Sequence, residues 1–230
     1  MSNSLQILLL GPPEVRWDDK LLPIQRRIPR ALLFYLASCG GMVGRNELLP
    51  LFWEEVPESE ARLRLSEALS RLRQTLLIPD ILITQGDLVG LDFSKVYVDQ
   101  QHFQSLVTQV GRTPWLIPIS DPLPEVIYQK LNSVAHLWRG LFFLAGADFP
   151  STSGLDRWLS QTSNHLEVQR GQILARLAQH AEASVEFEVA LQLTNLFLQV
   201  EPHIMFRVER MLTNCARLQR PLKSLSMLNA

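Results

Sequence analysis

Short apolar runs alternate with chain breakers at the start of the sequence: Leu5–Leu10, then Gly11-Pro12-Pro13, then Glu14–Trp17, then Asp18-Asp19-Lys20. Asp-Asp between two apolar runs is turn chemistry, because a short acidic side chain bonds locally and tolerates left-handed backbone. The pattern predicts a small antiparallel sheet over residues 5–25. From Pro29 the spacing becomes helical. Pro29 suits a first helical turn, Ala31, Leu32, Phe34, Tyr35, Leu36 and Ala37 follow, and Cys39-Gly40-Gly41 supplies a C-terminal glycine. A second helix is expected from Arg45 to Trp53, short or irregular because Pro50 interrupts it.

The third helix, about Glu60 to Leu77, is the most informative stretch. At about 100° per residue, Leu65, Leu69, Leu72 and Leu76 line one narrow face with Ala61 and Ala68 beside them. The opposite arc carries Leu63, Ser66, Glu67, Ser70 and Gln74. Arg62 and Arg73 flank that arc on one side, Arg64 and Arg71 on the other. After Pro79, two β-rich runs around Gln85-Gly86-Asp87 predict a hairpin that extends through Val96–Val98. Short strands, three helices and a hairpin therefore fill residues 1–98.

Beyond Asp99 the pattern is helical throughout, giving a fold class that is mainly α with a small β component. Helices are expected at 99–111, 123–140, 154–182, 185–200, 203–218 and from about Pro221. Loops fall at Gly111–Pro124 and Gly140–Gly154, where proline and glycine gather. The helices from 154 onward have the look of antiparallel pairs in a helical-repeat array, although no repeat is legible. The division drawn from this is residues 1–98 and residues 99–230.

Composition narrows the classes. Hydrophobic residues make up 47% of the 230 and charged residues 20%, an ordinary globular balance, and the formal net charge is -1. Any nucleic-acid contact must then rest on locally focused charge rather than on a basic coat. Cys39 and Cys215 are too few for a disulfide framework and read as buried or half-buried thiols in a reducing cytosol. The apolar run Ile7–Leu10 is too short for a signal or a membrane span, so a cytoplasmic chain with no membrane partner is expected.

Several motifs in order resemble one family, the Streptomyces antibiotic regulatory proteins. They are Leu8-Leu9-Leu10-Gly11-Pro12-Pro13-Glu14-Val15, Arg30-Ala31-Leu32-Leu33, Gly44-Arg45-Asn46-Glu47-Leu48 with Trp53, Leu69-Ser70-Arg71-Leu72-Arg73, and Val98-Asp99 with Phe103. Trp138-Arg139-Gly140, Trp158, Ala190, Glu201-Pro202 and Met211-Leu212 continue the likeness over nearly the whole chain. The resemblance implies an OmpR-type winged helix-turn-helix over 1–98, with hairpin 81–98 as its wing. An all-helical bacterial transcriptional activator domain, similar to tetratricopeptide repeats, would follow. It also implies a transcriptional regulator that binds duplex DNA, commonly as a homodimer on repeated sites. The helical half would then offer a surface to a second copy or to RNA polymerase. The sequence departs from the family at Gly44, where a capping Ser or Thr is usual, at Glu67 in mid-arc, and at a wing tip without a basic residue.

A helix in the major groove needs side chains that reach base edges and cations that reach phosphates on both walls. Arg62, Arg64, Arg71 and Arg73 fit the phosphate role, and any of them could instead make the bidentate contact to guanine. Ser66, Ser70 and Gln74 suit base edges, and Glu67 can accept from the cytosine amino group. Arg45 and wing-tip Gln85 complete the candidate set; Arg26, Arg27, Arg30 and Arg45 could add phosphate contacts, with a solvated role equally open for each. Enzymatic readings lack a constellation. No Gly-Lys-Ser/Thr follows Gly40-Gly41-Met42-Val43-Gly44. His165 and Glu167 would diverge by about 200° on a helix, and His102, His136, His180 and His203 have no ligand spacing. No catalytic residue, metal or cofactor is expected, and the tryptophans at 53, 115, 138 and 158 read as core. The neutral charge and Glu67 leave a second reading open: an interaction module of a larger signalling protein whose winged helix no longer binds DNA.

Overall fold

The structure, a computed structural model, describes residues 5–76 and 80–200. The helices expected at 203–218 and from Pro221 lie outside the described residues, as does Cys215. The first sheet holds β1 (Leu5–Leu8), β2 (Glu14–Trp17) and β3 (Lys20–Leu21). Asp18 and Asp19 turn β2 into β3 with φ of 48° and 63°, the left-handed pair that a tight two-residue hairpin demands. Next come α1 (Arg27–Cys39), the two-residue β4 (Val43–Gly44), α2 (Arg45–Phe52) and α3 (Glu58–Thr75). Every residue from Ala31 to Ser38 is buried, so α1 is a central helix that packs against α3 and the sheet beyond it. Gly40 closes it in the left-handed region at φ 70°.

β5 (Leu82–Gln85) and β6 (Leu88–Leu91) form the expected hairpin, and β4 adds a third strand in the order β4-β6-β5. Gly86, at φ 58°, takes the first central position of the turn, where a side chain would be strained. The hairpin ends sooner than the sequence pattern implied. β7 (Val96–Val98) leaves it and pairs in parallel with β1, in the register Leu5↔Val96 and Ile7↔Val98, giving the order β3-β2-β1-β7. Alternation within a strand reveals its buried face but not its partner, and this partner lies some ninety residues upstream.

α4 (Asp99–Val110) starts directly from β7, followed by the single-turn α5 (Thr113–Leu116), α6 (Glu125–Ala135), α7 (Ser153–Ala183) and α8 (Phe187–Val200). α5 falls within the stretch read as loop, its proline sitting in the first turn. α6 stops at Ala135 rather than continuing to 140. The backbone that follows is recruited by the first sheet: Arg139 N donates to Leu10 O at 2.8 Å, Leu144 N to Leu9 O at 2.9 Å and Ala145 N to Gly11 O at 3.0 Å. A Cβ on Gly140 would lie 2.9 Å from Pro12 Cδ and 3.0 Å from Gly11 Cα, so only glycine permits that approach. Opposite, the buried Asp99 carboxylate accepts from Leu9 N at 2.7 Å and Leu10 N at 3.0 Å.

One continuous apolar core thus runs from Leu5 to Leu177 across both halves. An aromatic seam joins α1, α2 and α7, with Tyr35 against Trp158 at 4.9 Å and against Phe52 at 6.0 Å between ring centroids. Trp115 and Cys39 are exposed, against the expectation of burial; Trp115 sits on α5, of which Pro114 alone is buried. Among the described residues no helix is long and apolar enough to cross a membrane.

Candidate nucleic-acid interface

α3 forms because its apolar residues recur every three or four positions and because its first turn holds Glu58 and Glu60, favourable at a helix N-terminus. Ala61, Leu65, Ala68, Leu69 and Leu72 face inward and are buried. The same geometry exposes Arg62, Leu63, Arg64, Ser66, Glu67, Ser70, Arg71, Arg73 and Gln74, placing all eight of the sequence-derived α3 candidates on open surface.

The two arginine flanks of this arc differ in what they touch. Arg62 donates from Nε and Nη2 to Glu58 Oε1 at 3.0 and 2.8 Å, and from Nη2 to Asn46 Oδ1 at 2.6 Å. Arg73 donates to Thr84 Oγ1 on β5. That flank is therefore tied to the first turn of α2 and to the hairpin. Arg64 pairs with Glu60 one turn back, whereas Arg71 has no hydrogen bond or ion pair among the described residues. Both line clefts against the start of α1, in company with Arg26. Between the flanks, Ser66 spends its hydroxyl proton on Arg62 O at 2.9 Å, leaving its lone pairs outward. Glu67, Ser70 and Gln74 have no side-chain partner among the described residues, so the middle of the arc is a row of unspent polar groups.

Gln85 is exposed at the hairpin tip, and Asp87 O accepts from Arg45 N at 2.8 Å, which fastens the hairpin to the start of α2. Arg45 itself is half-buried with Nε unpartnered. Gly44, the unusual cap, is served from the other direction: its N–H donates to Glu47 Oε1 at 3.2 Å, the half of a capping box that needs no side chain at the cap. Arg27 and Arg30 are diverted. Arg27 pairs with Asp148 at 2.9 Å and donates to Phe149 O, and Arg30 approaches Asp148 at 3.7 Å, tying α1 to the segment before α7. Thr84 has a contact that the sequence reading passed over, because its alternation marked only a strand. Among the described residues no cluster of His, Cys, Asp and Glu could hold a metal ion.

No family model matches the chain, and no curated protein matches it. Among solved structures it is similar to Mycobacterium tuberculosis EmbR in complex with a low-affinity phosphopeptide. The TM-score is 0.57 at 18% identity, covering 86% of this chain and 60% of that one. The likeness is one of fold: a winged helix with small sheets, followed by a helical half.

Proposed function

We propose that this chain is a sequence-specific DNA-binding transcriptional regulator of the type found in the Streptomyces antibiotic regulatory proteins. It lays α3 in the major groove and uses the β5–β6 hairpin as its wing. The observation that carries this reading is the arc of α3. A helix whose inner face is sealed into the core presents unspent serine, glutamate and glutamine groups between two arginine flanks. Arginine on both edges of one polar arc matches a groove with phosphates on both walls. Ser66, Ser70, Gln74 and Glu67 are the base-reading candidates. Arg62, Arg64, Arg71 and Arg73 serve the backbone, with Arg45 and Gln85 at the margin. The fold it shares with EmbR agrees with the same architecture. The proposal extends to a cytoplasmic protein, acting as an activator and as a homodimer on repeated sites. Its helical half would offer a surface to RNA polymerase, and no residue would be assigned to catalysis.

A second reading draws on the ion pairs. Arg62 and Arg64 are each held by a glutamate of their own helix, and Glu67 stands in mid-arc, as on a solvated face of an interaction module. Fluorescence anisotropy separates the two. DNA from upstream of the gene and its neighbours is titrated with the wild type and with a variant carrying Arg64, Arg71 and Arg73 changed to Ala. Binding of one fragment at about 10⁻⁸ M, weakened by salt and lost in the variant, upholds the recognition-helix reading. Weak background alike in both proteins abandons it for the interaction module.

A further inference from the structure

The segment that leads into α1 runs beside the C-terminal half of α3 and leaves a cleft of about 320 Å³ between them. Its walls include Gln25, Arg26 and Pro29 on one side and Arg71 and Gln74 on the other, and no carboxylate lines it. The neighbouring cleft, which shares Arg26 and Arg71, contains Glu67 and the ion-paired Arg64. Arg26 and Arg71, from different elements, thus line one opening that holds no carboxylate among the described residues. Neither Arg26 nor Arg71 has a side-chain hydrogen bond or ion pair among the described residues. Arg26 is the residue before α1, in extended backbone at φ −82° and ψ 128°, and its side chain does no capping. The floor beneath is fixed. Ile24 and Pro29 are buried, and Ile24 O accepts from Arg30 at 3.3 Å.

We propose that Arg26 and Arg71 form a clamp for one phosphodiester group of bound DNA, in the cleft between residues 23–26 and the second half of α3. The proposal rests on the DNA-binding reading and adds to it a contact outside the recognition helix. Guanidinium forks match phosphate oxygens in pairs, and an anion between two like charges relieves their repulsion. Gln25 and Gln74 add neutral donors to the same opening. Arg71 and Gln74 belong to the exposed arc of α3, so a phosphate here sits on the groove wall beside the residues assigned to bases. This contact carries no sequence information; it sets how deeply and at what angle α3 enters.

The test uses the full chain, the duplex selected by the anisotropy screen and an unrelated duplex. Arg26→Gln is expected to weaken binding to both by the same factor, about tenfold, and to flatten the slope of log K against log salt by about 0.9. Arg26→Lys, which keeps the charge, is expected to retain the slope. An unchanged melting temperature in both variants shows that folding is intact. Unaltered affinity and slope in Arg26→Gln overturn the clamp; loss of binding in the α3 triple variant would then leave the recognition-helix reading standing. A wild type that binds no duplex overturns both. Inorganic phosphate distinguishes a free anion from DNA. Stabilisation by phosphate that Arg26→Gln abolishes, with DNA affinity untouched, would assign the cleft to a free anion and overturn the DNA contact.

Discussion

The arginines of α3 and those of α7 are the same residue type put to opposite uses. On α3 they are exposed and pair with glutamates of the same helix, with a threonine, or with nothing. On α7, Arg170 is 4% exposed and Arg176 3%, with Glu167 favouring the Arg170 charge. Arg170 Nη1 donates to Gly140 O at 2.8 Å and Leu141 O at 2.7 Å, and its guanidinium lies 4.5 Å above the ring of Trp138. Burial pulls it down to about 10, so it stays charged at neutral pH. Arg176 donates from Nε to Pro114 O at 2.8 Å. At Arg170 backbone carbonyls and an aromatic face take the place of water, whereas both Nη groups of Arg176 are buried without a hydrogen-bond partner among the described residues; both arginines pin loops onto a helix. A charge needed for an external anion must stay uncommitted, as Arg71 is. Partners, rather than charge alone, separate a structural arginine from an available one.

Arg170→Ala breaks this comparison with the largest effect. It strands two loop carbonyls and removes the stacking on Trp138, so about 3–5 kcal/mol of stability should be lost in denaturant unfolding. The same truncation at Arg71 should change stability by less than about 0.5 kcal/mol. Equal losses at the two positions would mean that burial is a poor guide to their roles.

Asp99→Asn tests the joint that Arg170 helps to hold. The carboxylate accepts from Leu9 N and Leu10 N with its two oxygens, and an amide would turn an N–H toward one of those donors. About 2–3 kcal/mol should be lost, measured by chemical unfolding. An unperturbed variant would show that the first sheet does not depend on this contact.

The α3 arc was legible because a helix repeats its faces within one segment: Leu65, Leu69 and Leu72 declare the inside, and Ser66, Ser70 and Gln74 follow as outside. Gly40, Asp18-Asp19 and Gly86 were legible for a similar reason, since each satisfies a local backbone demand. What escaped depends on distant partners. Val96–Val98 alternates as any strand does, and only the fold brings it to β1. Residues 137–140 continue a helical pattern, but Leu137 N and Trp138 N turn back to Val134 O and Ala135 O, and Arg139 N is taken by Leu10 O, just after β1. Nothing in the sequence sets Arg170 and Arg176 apart from ordinary solvated charges, and only three-dimensional packing brings them to Gly140 O and Pro114 O. The separation between Arg26 and Arg27, one without a side-chain partner among the described residues and the other bound to Asp148, is likewise a tertiary fact.

His180 sharpens the comparison by pH. It is another basic group buried on α7, and its Nδ1 accepts from Leu123 N at 2.9 Å while Tyr128 stacks on the ring at 4.4 Å. Burial lowers its pKa from the ordinary value of 6.5, and protonation would place a proton on the accepting nitrogen. The unfolded chain therefore binds the proton first. Stability from this group is present above 6.5 and falls as pH drops below it toward the lower folded value. This acid-dependent loss should disappear in His180→Gln, whose amide oxygen accepts the same N–H without titrating. A pH profile identical in the variant would assign the acid sensitivity elsewhere.

The smallest effect comes from Glu60→Gln, which leaves Arg64 unpaired, as Arg71 is. An exposed pair one turn apart contributes little, so stability should fall by only about 0.3–0.5 kcal/mol. On the proposed reading, DNA affinity should move the other way, becoming about threefold tighter at low salt, because a carboxylate is removed from the flank proposed to face DNA and a guanidinium is released. The gain should shrink as salt rises. If binding weakens instead, the ion pair aims Arg64 at its phosphate rather than occupying it, and the α3 arginines would be positioned groups in the way that Arg170 is.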